Sequence, residues 1–485
     1  MFVSPEEEIL SRLDAEFNNL KAYVFGEAQA EQLHGVERGI FRRLLQLGLL
    51  LLAAFLEKRG DGRMGDQIRT VDGREWKYHG LRTAEYFSIF GKLSIRRAYY
   101  WGVGAGEGVC PLDAVLNLPQ RCYSYLLEDW ATRLGVRGAF DKALDILEGI
   151  LGLKLSKSSL EELVRDAGVD VQAYYEQKAA PKPDQEGSIS VVTADGKGVV
   201  MVGKGPQTQK KRLSAGEKRS KKKQATVTAV YTIDRHERTP EEIVGELRQA
   251  RDSKQAEKPS PVKERPDPKF KRVRGTLRGK DAALKEARRQ VQERDPKGER
   301  VLVGLADGDR SLQQRMKRIF PGIILILDLP HALEYLWKVA HVFHGEENSP
   351  EAEMWVTRQL RLLLEGKLGT VLREMKSALL DTKLSRSKRK TLERVIGYYS
   401  RNRPHMRYDQ YLAMGLPIAS GVVEGACRHF VKDRMELAGM RWVAEGAEAM
   451  LELRAVDVNG DWDEFTRYRT NRAHERLYAA SALAA

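Results

Sequence analysis

Val191-Val-Thr-Ala-Asp195-Gly-Lys-Gly198 and Val301-Leu-Val-Gly-Leu-Ala-Asp307-Gly-Asp309 carry the same three residues after an apolar run. Each run is aliphatic or β-branched and closes on Ala-Asp-Gly. Each therefore reads as a strand whose last residue projects a carboxylate, next to a glycine that lets backbone approach a ligand closely. Asp-Gly is also an ordinary turn dipeptide, so either motif alone is equally a plain turn. Two of them on strands of one sheet, beside the chain's large basic insertion, favour a shared site.

The flanking sequence supports a sheet. Ser188 to Val202 and Ala225 to Ile233 are β-branched runs joined by a long basic loop, and a helix is expected near Thr239 to Ser253. Prolines between 259 and 268 predict a mobile segment. The helix Asp281 to Arg294 then leads into strand Arg300 to Ala306, helix Arg310 to Phe320 and strand Gly322 to Leu327. A meander of strands followed by alternating helix and strand predicts a mixed α/β sheet. From His331 to Gly397 the pattern is helical, with two more helices at about 421–437 and 444–458.

Upstream, Glu6 to Ala22 and Ala28 to Glu57 have helical spacing, and Tyr78 to Trp101 suggests a small β unit. Helices at about 123–134, 138–151 and 158–176 form either a helix-turn-helix DNA reader or a plain helical subdomain. The last opens with Ser158-Ser-Leu-Glu161, a capping box. Ala179 to Gly187 reads as a linker. The expected organisation is a helical region 1–62 and a β and helical DNA-binding region 63–178. A core 187–329 with the basic insertion 203–290 follows, then a helical insertion 330–415 and a C-terminal part of the core, 416–485.

Charge is concentrated rather than spread. The 485 residues carry 82 Lys and Arg against 68 Asp and Glu, a formal +14. Residues 203–223 hold nine bases and one acid, and 254–290 hold thirteen against five, while 224–253 is net negative. The excess thus lies within 203–290, which favours a polyanionic partner. Candidate phosphate contacts are Lys210, Lys211, Arg212, Lys218, Arg219, Lys221, Lys222, Lys223, Lys271, Arg272 and Arg274; a solvated charged loop is the alternative. Cys110, Cys122 and Cys427 are too few and scattered for a disulfide framework, which fits a reducing cytoplasm. The acidic start and the short apolar run Leu47 to Leu56 predict neither a signal peptide nor a membrane span.

Two strand-end acids suit divalent-metal chemistry, since Mg²⁺ takes oxygen ligands and phosphoryl transfer on nucleic acid uses two such ions. A third acid is expected on a helix packed against the same sheet. Glu424, in Ile418-Ala-Ser-Gly-Val-Val-Glu424-Gly-Ala-Cys-Arg428, has apolar neighbours and Arg428 one turn away. A simple Glu–Arg surface pair is the alternative. In Ile326-Leu-Asp328-Leu-Pro-His331, Asp328 is either a metal ligand or a helix N-cap. A zinc site built on His331, His341 and His344 is disfavoured, because no Cys lies nearby.

Four stretches resemble a known family. They are Asp328-Leu-Pro-His331-Ala-Leu-Glu-Tyr-Leu-Trp-Lys-Val-Ala-His341, Met406-Arg-Tyr-Asp-Gln-Tyr411, Gly415 through His429, and Asp433-Arg-Met-Glu-Leu-Ala-Gly-Met-Arg-Trp442. Together they resemble bacterial insertion-sequence transposases of the Kra type, distant relatives of the Mutator and hAT transposases. The resemblance runs through most of 186–465. It implies a DDE transposase with an RNase H-like core of mixed α/β type, interrupted by a helical insertion between the second Asp and the Glu. A mainly α N-terminal region with a small β unit precedes that core.

In that frame Asp195, Asp307 and Glu424 are the catalytic, metal-holding triad, with Mg²⁺ as cofactor and Mn²⁺ as the alternative. Asp328 and His331 match an auxiliary Asp-x-x-His motif, and Arg428 is also auxiliary. Where relatives often have a cysteine pair upstream, this chain has Cys110 alone, which argues against a zinc-bound reader. The implied partners are double-stranded DNA, as element ends and target, and further copies of the chain in a homodimer or higher oligomer. The expected location is the bacterial cytoplasm, on the nucleoid when bound. The alternatives are a nuclease of the same core that cuts without joining, and a non-catalytic DNA-binding derivative.

Overall fold

The structure is a computed structural model that describes residues 5–69, 73, 75–102, 108–202, 222–252, 265–345, 349–381, 384–421, 428–437 and 439–478. The chain divides into two compact units. One comprises Met1–Glu176 with Asp461–Ala485, and the other Gln177–Gly460.

The first unit opens with a helical hairpin, α1 (Pro5–Phe25) and α2 (Leu33–Arg59), followed by four antiparallel strands β1 (Gln67–Arg69), β2 (Glu75–Ser88), β3 (Gly91–Gly102) and β4 (Gly108–Val109). The expected β unit is thus mainly one long hairpin, β2–β3, turning at Ile89-Phe90. Helices α3 (Pro111–Leu116), α4 (Tyr125–Arg137), α5 (Phe140–Leu151), α6 (Lys157–Gly168) and α7 (Val171–Gln177) follow. The cap of α6 is Ser156, whose hydroxyl accepts from the Ser159 N–H at 3.0 Å, so the capping-box expectation at Ser158 was two residues late.

Two expectations for this unit are corrected. Regions 1–62 and 63–178 are not separate bodies. The unit also reclaims the chain's last helix, Trp462–Tyr478, which was expected to close the catalytic core. That helix is polar enough to carry no clear stripe, and it is held by partners remote in sequence. The Trp462 indole donates to Asp129 Oδ1 at 2.6 Å, Arg469 pairs with the buried Glu128 at 2.9 Å, and Tyr175 donates to Asp461 Oδ2 at 3.0 Å. Burial pushes the Glu128 carboxyl up, and Arg469 opposes it. Among the described residues, α2 is the one helix long and apolar enough to cross a membrane by length and composition. The expectation that rested on the run Leu47 to Leu56 alone missed it.

The second unit is built on a five-stranded mixed sheet. Its strands are β5 (Ile189–Val200), β6 (Lys222–Ile233), β7 (Lys269–Thr276), β8 (Val301–Ala306) and β9 (Ile324–Leu327), in the order β7-β6-β5-β8-β9. Strands β5, β6 and β7 are antiparallel neighbours, and β8 and β9 run parallel to β5. The central strands read as continuous aliphatic runs because both faces are covered. On one face α9 (Lys280–Arg294) and α10 (Arg310–Ile319) pack Leu284, Ala287, Leu312 and Met316 onto Val192, Val230 and Leu325. On the other, Ile189, Val191, Val303 and Leu305 meet α8 (Pro240–Asp252) and the helices that follow β9. These are α11 (Leu329–His344), α12 (Pro350–Leu364), α13 (Leu368–Ala378), α14 (Arg386–Asn402) and α15 (Tyr408–Ala413). The expected helical insertion is therefore the cover of that face. A π-helical turn, Arg428–Lys432, and a short helix, Asp433–Met435, precede α16 (Ala444–Val458), and the terminal helix of the first unit is α17.

Strand β7 was not expected: its Lys-Phe-Lys-Arg-Val-Arg residues form the sheet edge, while most of the segment expected to be mobile, residues 253–264 with Pro259 and Pro261, lies outside the described residues. The edge is closed on α16. The Asn459 side chain accepts from Val273 N–H at 2.8 Å and donates to its carbonyl at 3.1 Å, so one amide stands in for a sixth strand. The first basic block also falls mostly outside the described residues. Lys210, Lys211, Arg212, Lys218, Arg219 and Lys221 belong there, while Lys222 and Lys223 begin β6.

Candidate active site

The register of the parallel strands places the acids. Thr193 pairs with Leu305 across β5 and β8. Two residues on, Asp195 and Asp307 stand at the same level of neighbouring strands. Side chains alternate along a strand, so both share the face of Val191 and Leu305, under the helical cover. Across β8 and β9, Ala306 pairs with Leu327, which puts Asp328 level with Asp307. Three adjacent strands thus deliver three aspartates to one end of the sheet. Asp195 is not the last residue of its strand, as expected, because β5 continues beyond it paired with β6. It is instead the point where β5 parts from β8.

The two glycines serve different purposes. Gly308 has φ of +89° and a Cβ there would meet the Tyr398 ring at 2.7 Å, so both backbone and space exclude other residues. Gly196 is extended, and a Cβ would meet the Gln224 side chain.

The three aspartates have distinct surroundings. Asp195 and Asp307 are half-buried and border an open recess with Thr193, Leu305, His331 and Ser420. Asp195 Oδ1 accepts from Gly196 N–H at 2.6 Å, and Asp307 Oδ1 from Asp309 N–H at 3.0 Å. Neither makes an ion pair with a described residue. Two neighbouring carboxylates offer an oxygen-only donor set of the kind that suits a hard divalent ion.

Asp309, by contrast, is committed to the fold. It caps α10 through Leu312 N–H at 2.9 Å and pairs with Lys280 at 2.6 Å. Partial burial pushes its carboxyl up, but these partners outweigh that and hold it below the usual range.

Asp328 is almost fully buried and does not cap α11. Its Oδ1 accepts from Ser420 N–H at 2.6 Å, and Leu329 N–H donates to Ile418 O at 2.9 Å. The chain therefore touches down on the strand ends just before the stretch that carries Glu424. Glu424 itself lies outside the described residues, as does the side chain of Arg428. Ser420 borders the recess. Among the described residues no three His, Cys, Asp or Glu side chains converge as a metal centre. His331 Nε2 is 3.8 Å from Asp328 Oδ2 and faces the recess.

Asp328 acts as an anchor, which gives a clean expectation. Asp328→Asn retains an oxygen for Ser420 and should cost less than about tenfold in any activity of the site. Asp328→Ala leaves the buried Ser420 N–H unsatisfied and should cost about 1–3 kcal/mol of stability together with most of the activity. Urea unfolding and rate measured on both variants check this, and equal losses would make Asp328 a ligand instead.

Two tyrosines fix the strand ends and a third the first turns of α11, and sequence reasoning missed them. Tyr398 donates to the Asp307 carbonyl at 2.8 Å, Tyr408 to that of Leu327 at 2.8 Å, and Tyr399 to that of Ala332 at 2.7 Å. Tyr335 stacks on Tyr398 with centroids 3.8 Å apart. Burial raises the pKa of all three hydroxyls, so they remain donors. The available signal was the tyrosine pair 398–399, which stands one residue too close for a single helix face.

The candidate phosphate contacts divide. Lys223 and Lys271 are exposed, and Arg272 is half-buried. Lys222 pairs with Glu436 at 3.2 Å. Arg274 is corrected: it is buried and paired with Glu452, so it is part of the contact between β7 and α16 rather than a free charge for DNA. Arg265, Lys269, Arg278, Lys280 and Arg289 also make ion pairs. Among the described bases of the second basic block, these six are therefore committed to ion pairs within the fold.

Comparisons with known proteins give limited matches. The profile of an uncharacterised protein family, UPF0236, is similar to residues 29–242, less than half of the chain; this span includes Asp195 and ends before Asp307. A search of curated proteins returns no match. Among solved structures, a Drosophila P element transposase strand transfer complex is similar at 10% identity over 75% of this chain and 83% of that one, with a TM-score of 0.25.

Proposed function

We propose that this protein is a DNA transposase of the DDE type, which cuts DNA at element ends and joins the freed 3′-OH to target DNA. The observation that supports it most is the common level of Asp195 and Asp307 on adjacent parallel strands, with no cation among the described residues paired to either. The strand order, three antiparallel strands followed by two parallel to the first, supports the mixed α/β core that the sequence resemblance implies. The helical cover α11–α15 occupies the expected place between the second Asp and Glu424.

Asp195, Asp307 and Glu424 would hold Mg²⁺ or Mn²⁺. When bound, such ions activate the attacking oxygen and stabilise the leaving one. Cutting and joining are both in-line displacements at phosphorus, so one set of residues serves both. Tyr398, bonded to the Asp307 carbonyl, keeps that carboxylate aimed at the recess. Asp328 holds Ser420, and with it the start of the Glu424 segment, against the strand ends. His331, which borders the recess, would carry a proton at its rim. Exposed Lys223 and Lys271, with the basic stretch before β6, would track phosphates and add little sequence information. End recognition then falls to the first unit, and the working compartment is the cytoplasm, at the nucleoid.

The test is incubation of the purified chain with DNA carrying the inverted repeats that flank its gene, with a supercoiled target. Joined product that needs Mg²⁺ and disappears with EDTA is expected. Cleavage without joining would identify a nuclease, and binding without cleavage a non-catalytic derivative.

A further inference from the structure

Helix α2 has three apolar faces, and two of them are used. One lies on α1, where Tyr23 sits against Gly39, and another on the β2–β3 hairpin, where Leu49 meets Gly91. Between these faces Phe41, Leu44, Leu51 and Phe55 are 42%, 47%, 53% and 54% exposed. Their spacing, with Gly48 between, is three, four, three, four. At 3.6 residues per turn these positions fall within about 80° of arc, and Glu37 continues the same line. The stripe is open along about 21 Å of helix. The gap at Gly48 is filled by Phe90 from the hairpin turn, since a Cβ at Gly48 would meet the Phe90 ring at 2.6 Å.

We propose that this stripe is a homodimer interface, in which α2 packs antiparallel on α2 of a second copy about a two-fold axis near Gly48. A two-fold interface must be self-complementary, and the order Phe-Leu-Gly-Leu-Phe reads the same from either end. Antiparallel pairing sets Phe41 over Phe55 and Leu44 over Leu51, twice. Charge selects the same direction. The stripe begins at Glu37 and ends at Lys58-Arg59, so antiparallel packing sets acid over base at both ends, whereas parallel packing sets like charges together. A membrane is the poorer occupant. Arg43 and Glu57 bracket only 13 uncharged residues, about 20 Å of helix, short of the roughly 30 Å hydrocarbon layer.

The inference does not rest on the transposase reading, because oligomeric state is measured on the full chain without DNA. Light scattering after gel filtration at micromolar concentration should give about 110 kDa, twice the 54.9 kDa chain mass. Leu44→Glu with Leu51→Glu should halve it, with the circular dichroism unchanged. Glu37→Lys alone should weaken dimerisation at least tenfold, as should Lys58→Glu with Arg59→Glu. Combining the three charge changes should restore it. A monomeric parent chain, or a dimer that survives both glutamates, overturns the interface, and failure of the rescue overturns the antiparallel arrangement. Flotation with phosphatidylcholine vesicles that is lost in the double-glutamate variant reassigns the stripe to a lipid surface.

Discussion

Asp195→Asn and Asp307→Asn are each expected to lower Mg²⁺-dependent cleavage by about 10³-fold or more while leaving DNA affinity and fold intact. An amide keeps the size of the side chain but removes the negative charge that a hard cation requires. Both carboxylates are half-buried and make no ion pair with a described residue, so little structure depends on their charge. Removing one charge should therefore leave the melting temperature unchanged or raise it by a few degrees. A raised or level Tm with lost turnover is the signature of an active-site acid. A variant that cleaves fully would remove its residue from the site, and one that unfolds would make the acid structural. Glu424→Gln should match the two Asn variants in rate.

The largest expected stability effect lies elsewhere. Arg294, at the end of α9, holds Glu186 through two parallel bonds, Nε to Oε1 at 2.7 Å and Nη2 to Oε2 at 2.6 Å, with side chains 5% and 0% exposed. Arg294 Nη1 also donates to the Phe270 carbonyl at 3.1 Å, and Thr232 donates to Glu186. One guanidinium thus joins α9, β7, β6 and the segment that leads into β5. Arg294→Ala would leave a buried carboxylate uncompensated, at a cost of about 3–5 kcal/mol. The double variant Arg294→Met with Glu186→Leu should recover most of it. Urea midpoints compare them directly, and a loss below about 1 kcal/mol would show the pair to be incidental.

The pH dependence of that pair has a definite sign. Burial pushes the Glu186 carboxyl up, but the bonds from Arg294 and Thr232 and the charges of Arg294 and Arg300 outweigh it and hold it below its ordinary value. Its contribution is therefore complete above the unfolded-state value of about 4.5 and fades as the pH falls through the lower folded value. Arg294→Ala should flatten the acid limb of the stability profile.

These particulars mark what the sequence could tell. Asp195 and Asp307 were legible because a strand followed by Ala-Asp-Gly is a local signal, and β8, α10 and β9 followed from short-range patterning. Their common level was not, because strand register is set by pairings across the sheet. Strand β7 was hidden for the same reason: its basic residues lie on a sheet edge, and the charge of Arg274 is balanced by Glu452, which arrives from α16. The anchoring role of Asp328 depends on Ser420, far along the chain. The open stripe of α2 was masked by leucines on its other two faces, so its spacing emerged only once exposure was known.

The return of α17 to the first unit also sets an order of events at the ribosome. Residues 177–460 must be made before Trp462 and Arg469 reach Asp129 and Glu128. At about 5–20 residues per second the wait is on the order of 15–60 s. Throughout it the first unit holds a carboxylate awaiting its partner, while the second is free to finish. The first residues synthesised are thus the last to be locked in place, and a chain that terminates early leaves them as a standing target for chaperones and proteases.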